Sequence, residues 1–149
     1  MTTPMKIWQP QRSYYKVSDF ITWAREKALV LNPDFQRRSV WKPGAKSYLI
    51  DTIMRGLPIP VIFLREPRTE LKTLKSSRDV VDGQQRIRTI LSFIVPEVLS
   101  DFDAAQDAFV IRKSHNALYG GKSFRDLPDT ILRLTQLTET DLAQSQTSG

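Results

Sequence analysis

Apolar residues return at helical spacing in four stretches of this chain and gather into short extended runs between them. Phe20, Ile21 and Ala24 predict a helix capped by Ser18 and running to about Ala28. Ala45, Tyr48, Leu49, Thr52 and Ile53 predict an amphipathic helix from Pro43 to Arg55, with Gly56 and Pro58 as its stop. On that helix Lys46, Asp51 and Arg55 are expected on the solvated side. Ile87, Ile90, Leu91 and Ile94 form a third stripe that ends before Pro96, and Leu127, Ile131, Leu132 and Leu134 support a last helix over Pro128 to Gln136.

The extended runs are Leu29 to Leu31, Val61 to Leu64 and Asp79 to Val81. Between the last two lies the charged, serine-containing stretch Arg65 to Arg78, expected to be a mobile surface loop. Residues 97 to 107 are acidic and compatible with helix. Phe109 to Ile111 and Ala117 to Tyr119 predict a hairpin around Ser114 to Asn116, broken by Gly120-Gly121. Three segments are expected: an arm over 1–15, whose Trp8, Tyr14 and Tyr15 pack on the core or on a partner, one domain over 16–136, and a polar tail over 137–149.

Chemistry concentrates where the buried-looking pair Val80-Val81 meets the third apolar stripe, in Asp82-Gly83-Gln84-Gln85-Arg86. A strand that enters a helix through glycine leaves unpaired helix N-terminal amides facing outward, and an anion can approach them closely. Arg86, in the first turn, adds a planar cation for phosphate oxygens. Asp82 is placed to cap the helix, hold a metal ion, orient a water or lock Arg86 in position. A second constellation lies upstream in Asn32-Pro33-Asp34-Phe35-Gln36-Arg37, followed by Val40-Trp41, Leu49-Ile50-Asp51 and Pro58-Ile59-Pro60.

Together these strings resemble the N-terminal domain of GmrSD-type restriction endonucleases, within the ParB/sulfiredoxin-like superfamily, in register from about Val17 to Leu132. The resemblance implies an α+β fold, a small mixed sheet flanked by helices, and a nucleotide-binding, NTP-hydrolysing regulatory domain that works with a nuclease domain or subunit on DNA in a modification-dependent restriction or phage-defence system. By position it assigns nucleotide binding to Gln36, Arg37, Gly83, Gln84, Gln85 and Arg86, and catalysis to Asp82, Gln85 and Arg86. Asp82 is then the expected ligand of a divalent metal such as Mg. Arg88 replaces the small hydroxyl residue usual in the family, and Ser39 an aromatic. Family members also continue into helices bearing an asparagine-containing motif, whereas the polar stretch Thr138 to Gly149 follows here. The expectation is a shortened relative or part of a longer chain.

Composition narrows these readings. A 149-residue chain with 40% hydrophobic and 26% charged residues can bury one core, so a single folded domain is expected. The absence of cysteine removes disulfides, and Gln84 stands where sulfiredoxins carry their reactive cysteine, which excludes thiol repair chemistry. One histidine, His115, is too few for a histidine-metal nuclease centre, and no Walker-type loop is present. With no apolar run long enough to span a bilayer, the expected location is cytoplasmic. The net charge of +6 resides in residues 1–60, where ten Lys or Arg face four Asp or Glu. That basic half suits polyanions. Two alternatives stay open: a non-enzymatic ParB-like DNA-binding or modification-sensing module, and a catalytically silent interaction domain. A homo-oligomer is compatible with each.

Overall fold

The architecture is α+β, seen in a computed structural model that describes residues 9–11, 13–31, 41–65, 68–128 and 146–148. In chain order its elements are β1 (Gln9–Gln11), α1 (Val17–Arg25), β2 (Leu29–Val30), α2 (Pro43–Met54), β3 (Phe63–Arg65), β4 (Arg68–Thr69), β5 (Ser76–Asp82), α3 (Gln84–Ile94), α4 (Ala104–Asp107) and β6 (Gln146–Ser148). Tight 3-10 turns occupy Pro96–Val98 and Phe124–Asp126.

β5 organises the sheet. Its N-terminal half pairs antiparallel with β4, its C-terminal half pairs antiparallel with β3 at Val80 and Asp82, and β2 runs parallel beside Arg78 and Asp79. A short antiparallel pair, β1 with β6, extends the sheet beyond β3. α1 ends in a Schellman motif: the Ala28 amide donates to the Trp23 carbonyl at 2.7 Å while Lys27 takes a positive φ of 59°. The chain is thereby turned straight into β2. The same device closes α2, with Gly56 at a φ of 68°.

Helix α3 lies at the centre of the core. Ile87, Ile90 and Leu91 are buried with Val17, Phe20 and Ile21 of α1, Leu49, Ile50 and Ile53 of α2, and Ile62, Leu64 and Val80 of the sheet region. Trp41 packs half-buried against this cluster, and Tyr15, Phe20 and Trp23 form an edge-to-face aromatic group beside it. Tyr14 is exposed. Trp8 and the expected helix from Pro128 to Gln136, beyond Pro128 itself, fall outside the described residues.

Several expectations are corrected. α1 starts at Val17, capped by Lys16, whose amide donates to Asp19 Oδ2 at 2.7 Å, in place of Ser18. The inner face of α2 is Leu49, Ile50 and Ile53, while Tyr48 stands outside. Lys46 and Asp51 are buried, because a polar layer covers this side of the helix: Lys46 Nζ donates to the Gln106 carbonyl, and Asp51 accepts from Arg55 Nε and Asn116 Nδ2. The expected loop from Arg65 to Arg78 contains β4 and the start of β5, which form a hairpin. Val81 is half exposed, since alternation along β5 turns it away from buried Val80. No hairpin joins Phe109–Ile111 to Ala117–Tyr119. Instead Ile111 exchanges backbone hydrogen bonds with Gly121 and Lys122, so the glycines carry the closure that they were expected to break.

Ile90 is 1% exposed at the centre of the apolar cluster. Ile90→Ala should therefore lower unfolding free energy by about 2 to 5 kcal/mol, as measured by urea denaturation, and an unchanged midpoint would contradict this packing.

Candidate functional site

The turn from β5 into α3 depends on one backbone conformation. Gly83 is the N-cap of α3 and has a φ of 100°, in the region where a β-carbon is strained. A β-carbon there would also stand 3.0 Å from Ile62 Cγ1 and 3.1 Å from Arg86 Nη2. Glycine thus serves two needs: the reversal of the chain and the close return of the Arg86 guanidinium over its own turn.

Among the described residues Arg86 is tied down at one point only. Its Nη2 donates to the Val61 carbonyl at 3.0 Å, at the approach to β3. Among the described residues its Nε is buried without a hydrogen-bond partner, and no carboxylate pairs with Arg86. A partly buried cation with an unsatisfied donor is costly unless an anion completes it. Beside it, the first helical hydrogen bond runs from the Ile87 amide to the Gly83 carbonyl, so the amides ahead of Ile87 have no intrahelical acceptor. They add positive character at the same spot.

Asp82 is exposed on the last residue of β5. It does not cap α3, whose N-cap has no side-chain hydrogen bond, and it does not lock Arg86. Of the four roles open to it from sequence, metal binding and water orientation are left. Gln84 and Gln85 are both buried. Gln84 turns back to brace the strand end, its Nε2 donating to the Val80 carbonyl at 3.1 Å, while the Gln85 amide makes no hydrogen bond among the described residues. The structure thus brings Asp82, Gly83, Gln84, Gln85 and Arg86 together on one turn. Gln36 and Arg37 lie outside the described residues.

Sequence reasoning missed the wall of the turn, formed by Ile62 and the Val61 carbonyl, because nothing local in Val61-Ile62 signals contact with Arg86 across 25 residues. It also missed the role of Arg88. This side chain holds Asp107 with two nitrogens, at 3.1 and 2.8 Å, and Asp101 at 3.0 Å, which anchors the 97–107 segment to α3. Burial alone would raise the Asp107 carboxyl, but hydrogen bonds from Arg88 and the Asp103 amide, with the charges of Arg88 and Lys46, hold it below its ordinary 3.8. Lys46 is pushed down by burial, against the attraction of Asp107 and with the repulsion of Arg88. His115 stands in a turn, where its Nδ1 meets Ser47 Oγ at 2.8 Å, and Ser47 Oγ also accepts from the Arg112 amide. These residues clamp α2 and α3 together and stand apart from the glycine turn.

Fold and turn together define a small α+β domain in which a strand enters a helix through Gly83, with Arg86 in the first turn. Residues 17–147 match the family described as GmrSD restriction endonuclease, N-terminal domain, and the chain belongs to that family. No curated protein and no solved structure matches it. No helix among the described residues is long and apolar enough to cross a membrane.

Gly83→Ala should cost about 1 to 2 kcal/mol from the left-handed backbone alone, and more if Ile62 cannot yield. A thermal melt reads this loss, and an unchanged melting temperature would contradict the turn geometry. For Asp107, whose folded value is depressed, the stabilising contribution is present above the ordinary carboxyl range and is lost as pH falls through the depressed value. Unfolding free energy of the wild type should therefore fall more steeply below about pH 4 than that of Asp107→Asn, and parallel profiles would remove Asp107 from the acid response.

Proposed function

We propose that this domain binds a nucleoside triphosphate at the Gly83 turn, hydrolyses it with the help of a divalent metal, and so regulates a nuclease partner acting on DNA in a restriction system. The observation that carries the reading is Arg86, a partly buried guanidinium with an unsatisfied Nε and no acidic partner among the described residues, set in the first turn of α3. Terminal phosphates supply the missing charge and acceptors. Family membership places the domain in a restriction setting.

The residue types divide the work. Arg86 and the turn amides take phosphate oxygens, with Gln36 and Arg37 as further binding groups. Gln85, a neutral amide, orients the attacking water without competing for the phosphates. Among the described residues no group of three or more His, Asp or Glu side chains could form a metal cage by itself. Magnesium commonly binds through one or two carboxylates together with substrate phosphates and keeps several waters. Asp82 is the carboxylate available for it, and the metal when bound supplies charge neutralisation of the phosphates.

Arg86→Ala should abolish measurable nucleotide binding in calorimetric titration while shifting the melting temperature little, since its side chain donates a single hydrogen bond among the described residues. Unchanged affinity would remove Arg86 from the site. Asp82→Asn should leave metal-free nucleotide binding near the wild-type value and eliminate magnesium-dependent phosphate release. Wild-type-like turnover in that variant would defeat the metal role. A wild type that binds nucleotide but releases no phosphate would reduce the domain to a binding module.

A further inference from the structure

The hairpin of β4 and β5 ends in a tip whose composition its own stability does not explain. The tip is well built: the Glu70 amide donates to the Lys75 carbonyl at 2.9 Å, the Leu74 amide donates to the Glu70 carbonyl at 2.7 Å, and the Thr69 and Ser76 hydroxyls meet at 3.1 Å. Yet Leu71 is 87% and Leu74 76% exposed. Leu74 also has a φ of 57°, a left-handed conformation that glycine or asparagine would take with less strain. Leucine here carries a backbone cost and recovers nothing by burial.

Cations surround these two leucines. Lys72, Lys75 and Arg78 lie on the same hairpin, and none forms an ion pair among the described residues. Arg78 stacks 4.0 Å over the Trp23 ring, at a groove of about 820 Å³ that also takes in Lys27 and Lys75. Glu26 and Glu70 border the same groove, which has three cationic side chains against two acidic ones, and Lys72 adds a further cation on the hairpin.

We infer that this hairpin is a DNA-contacting wedge, with Leu71 and Leu74 entering a groove against the bases and Lys72, Lys75 and Arg78 neutralising backbone phosphates. A two-stranded ribbon fits a DNA groove, and leucine is among the apolar residues that proteins insert between base steps. Two leucines offer little apolar area for holding a lipid surface, whereas alternating them with lysines matches a polyanion with stacked apolar bases. The inference rests on the proposed function only in taking DNA as the partner. It requires no nucleotide at Arg86.

The test uses the full chain and a fluorescein-labelled duplex, with binding followed by anisotropy across a salt series. Lys72→Ala and Lys75→Ala should each reduce the slope of log affinity against log salt by about one. Leu74→Gly separates contact from folding: it should melt at or above the wild-type temperature yet bind DNA about tenfold more weakly. Nucleotide titrations of the same variants should match the wild type, so loss of the nucleotide reading leaves this result standing. A wild type that does not bind the duplex, unchanged DNA affinity in Leu74→Gly combined with Leu71→Ser, a lower melting temperature for Leu74→Gly, or binding to phosphatidylserine vesicles but not to DNA would each overturn the wedge.

Discussion

Helix α3 is packed on so many sides that its N-terminus has almost no freedom of position. Ile87, Ile90 and Leu91 are held by α1, α2 and the sheet region, and Thr89, Ser92 and Phe93 are buried as well. Close packing of this kind resists shifts of even a methylene. The first turn of α3 is therefore fixed against the end of β5, and the residues between them have to reverse the chain within a single position. Gly83 satisfies that demand, and the orientation of Asp82, Gln85 and Arg86 follows from it.

The same constraint explains why the turn can hold an unsatisfied cation. Arg86 Nη2 donates to the Val61 carbonyl, and Ile62 stands against Gly83, so the guanidinium is kept beside the turn and cannot swing freely to bulk water. Its incomplete hydrogen bonding is a local cost carried by the surrounding core. Arg88, two residues on, faces the other way. There its nitrogens meet Asp107 and Asp101, and the result is a structural anchor. Two arginines on one helix thus differ in role because of what the tertiary structure sets opposite each.

Outside the glycine turn, buried polar groups hold the helices in register. Lys46, Ser47, Asp51, Arg88, Asp107, His115 and Asn116 form links between segments far apart in sequence. Such links are directional, so they fix the rotation of α2 about its axis more tightly than apolar contact alone. That is why Tyr48 is outside and Ile50 inside, although helical periodicity by itself accommodates either choice.

Much of the domain is determined by sequence alone. The boundaries of α2 and α3 follow from Pro43, Gly56, Gly83 and Pro96, residues whose backbone limits act locally, and the family is recognisable from the Asp82 to Arg86 string because its members sit on consecutive positions. The identity of the buried face depended on more. Whether Lys46 and Asp51 are solvated is settled by partners 60 and 65 residues away, and whether Arg65 to Arg78 is loop or hairpin by the pairing of Arg68 and Thr69 with Ser77 and Ser76. The same holds for Arg86, whose type announces an anion site, while the burial of its Nε without a partner among the described residues depends on what the fold packs around it. Local rules act through backbone torsion and spacing and can be read along the chain, but desolvation and hydrogen-bond completion depend on what the fold brings near.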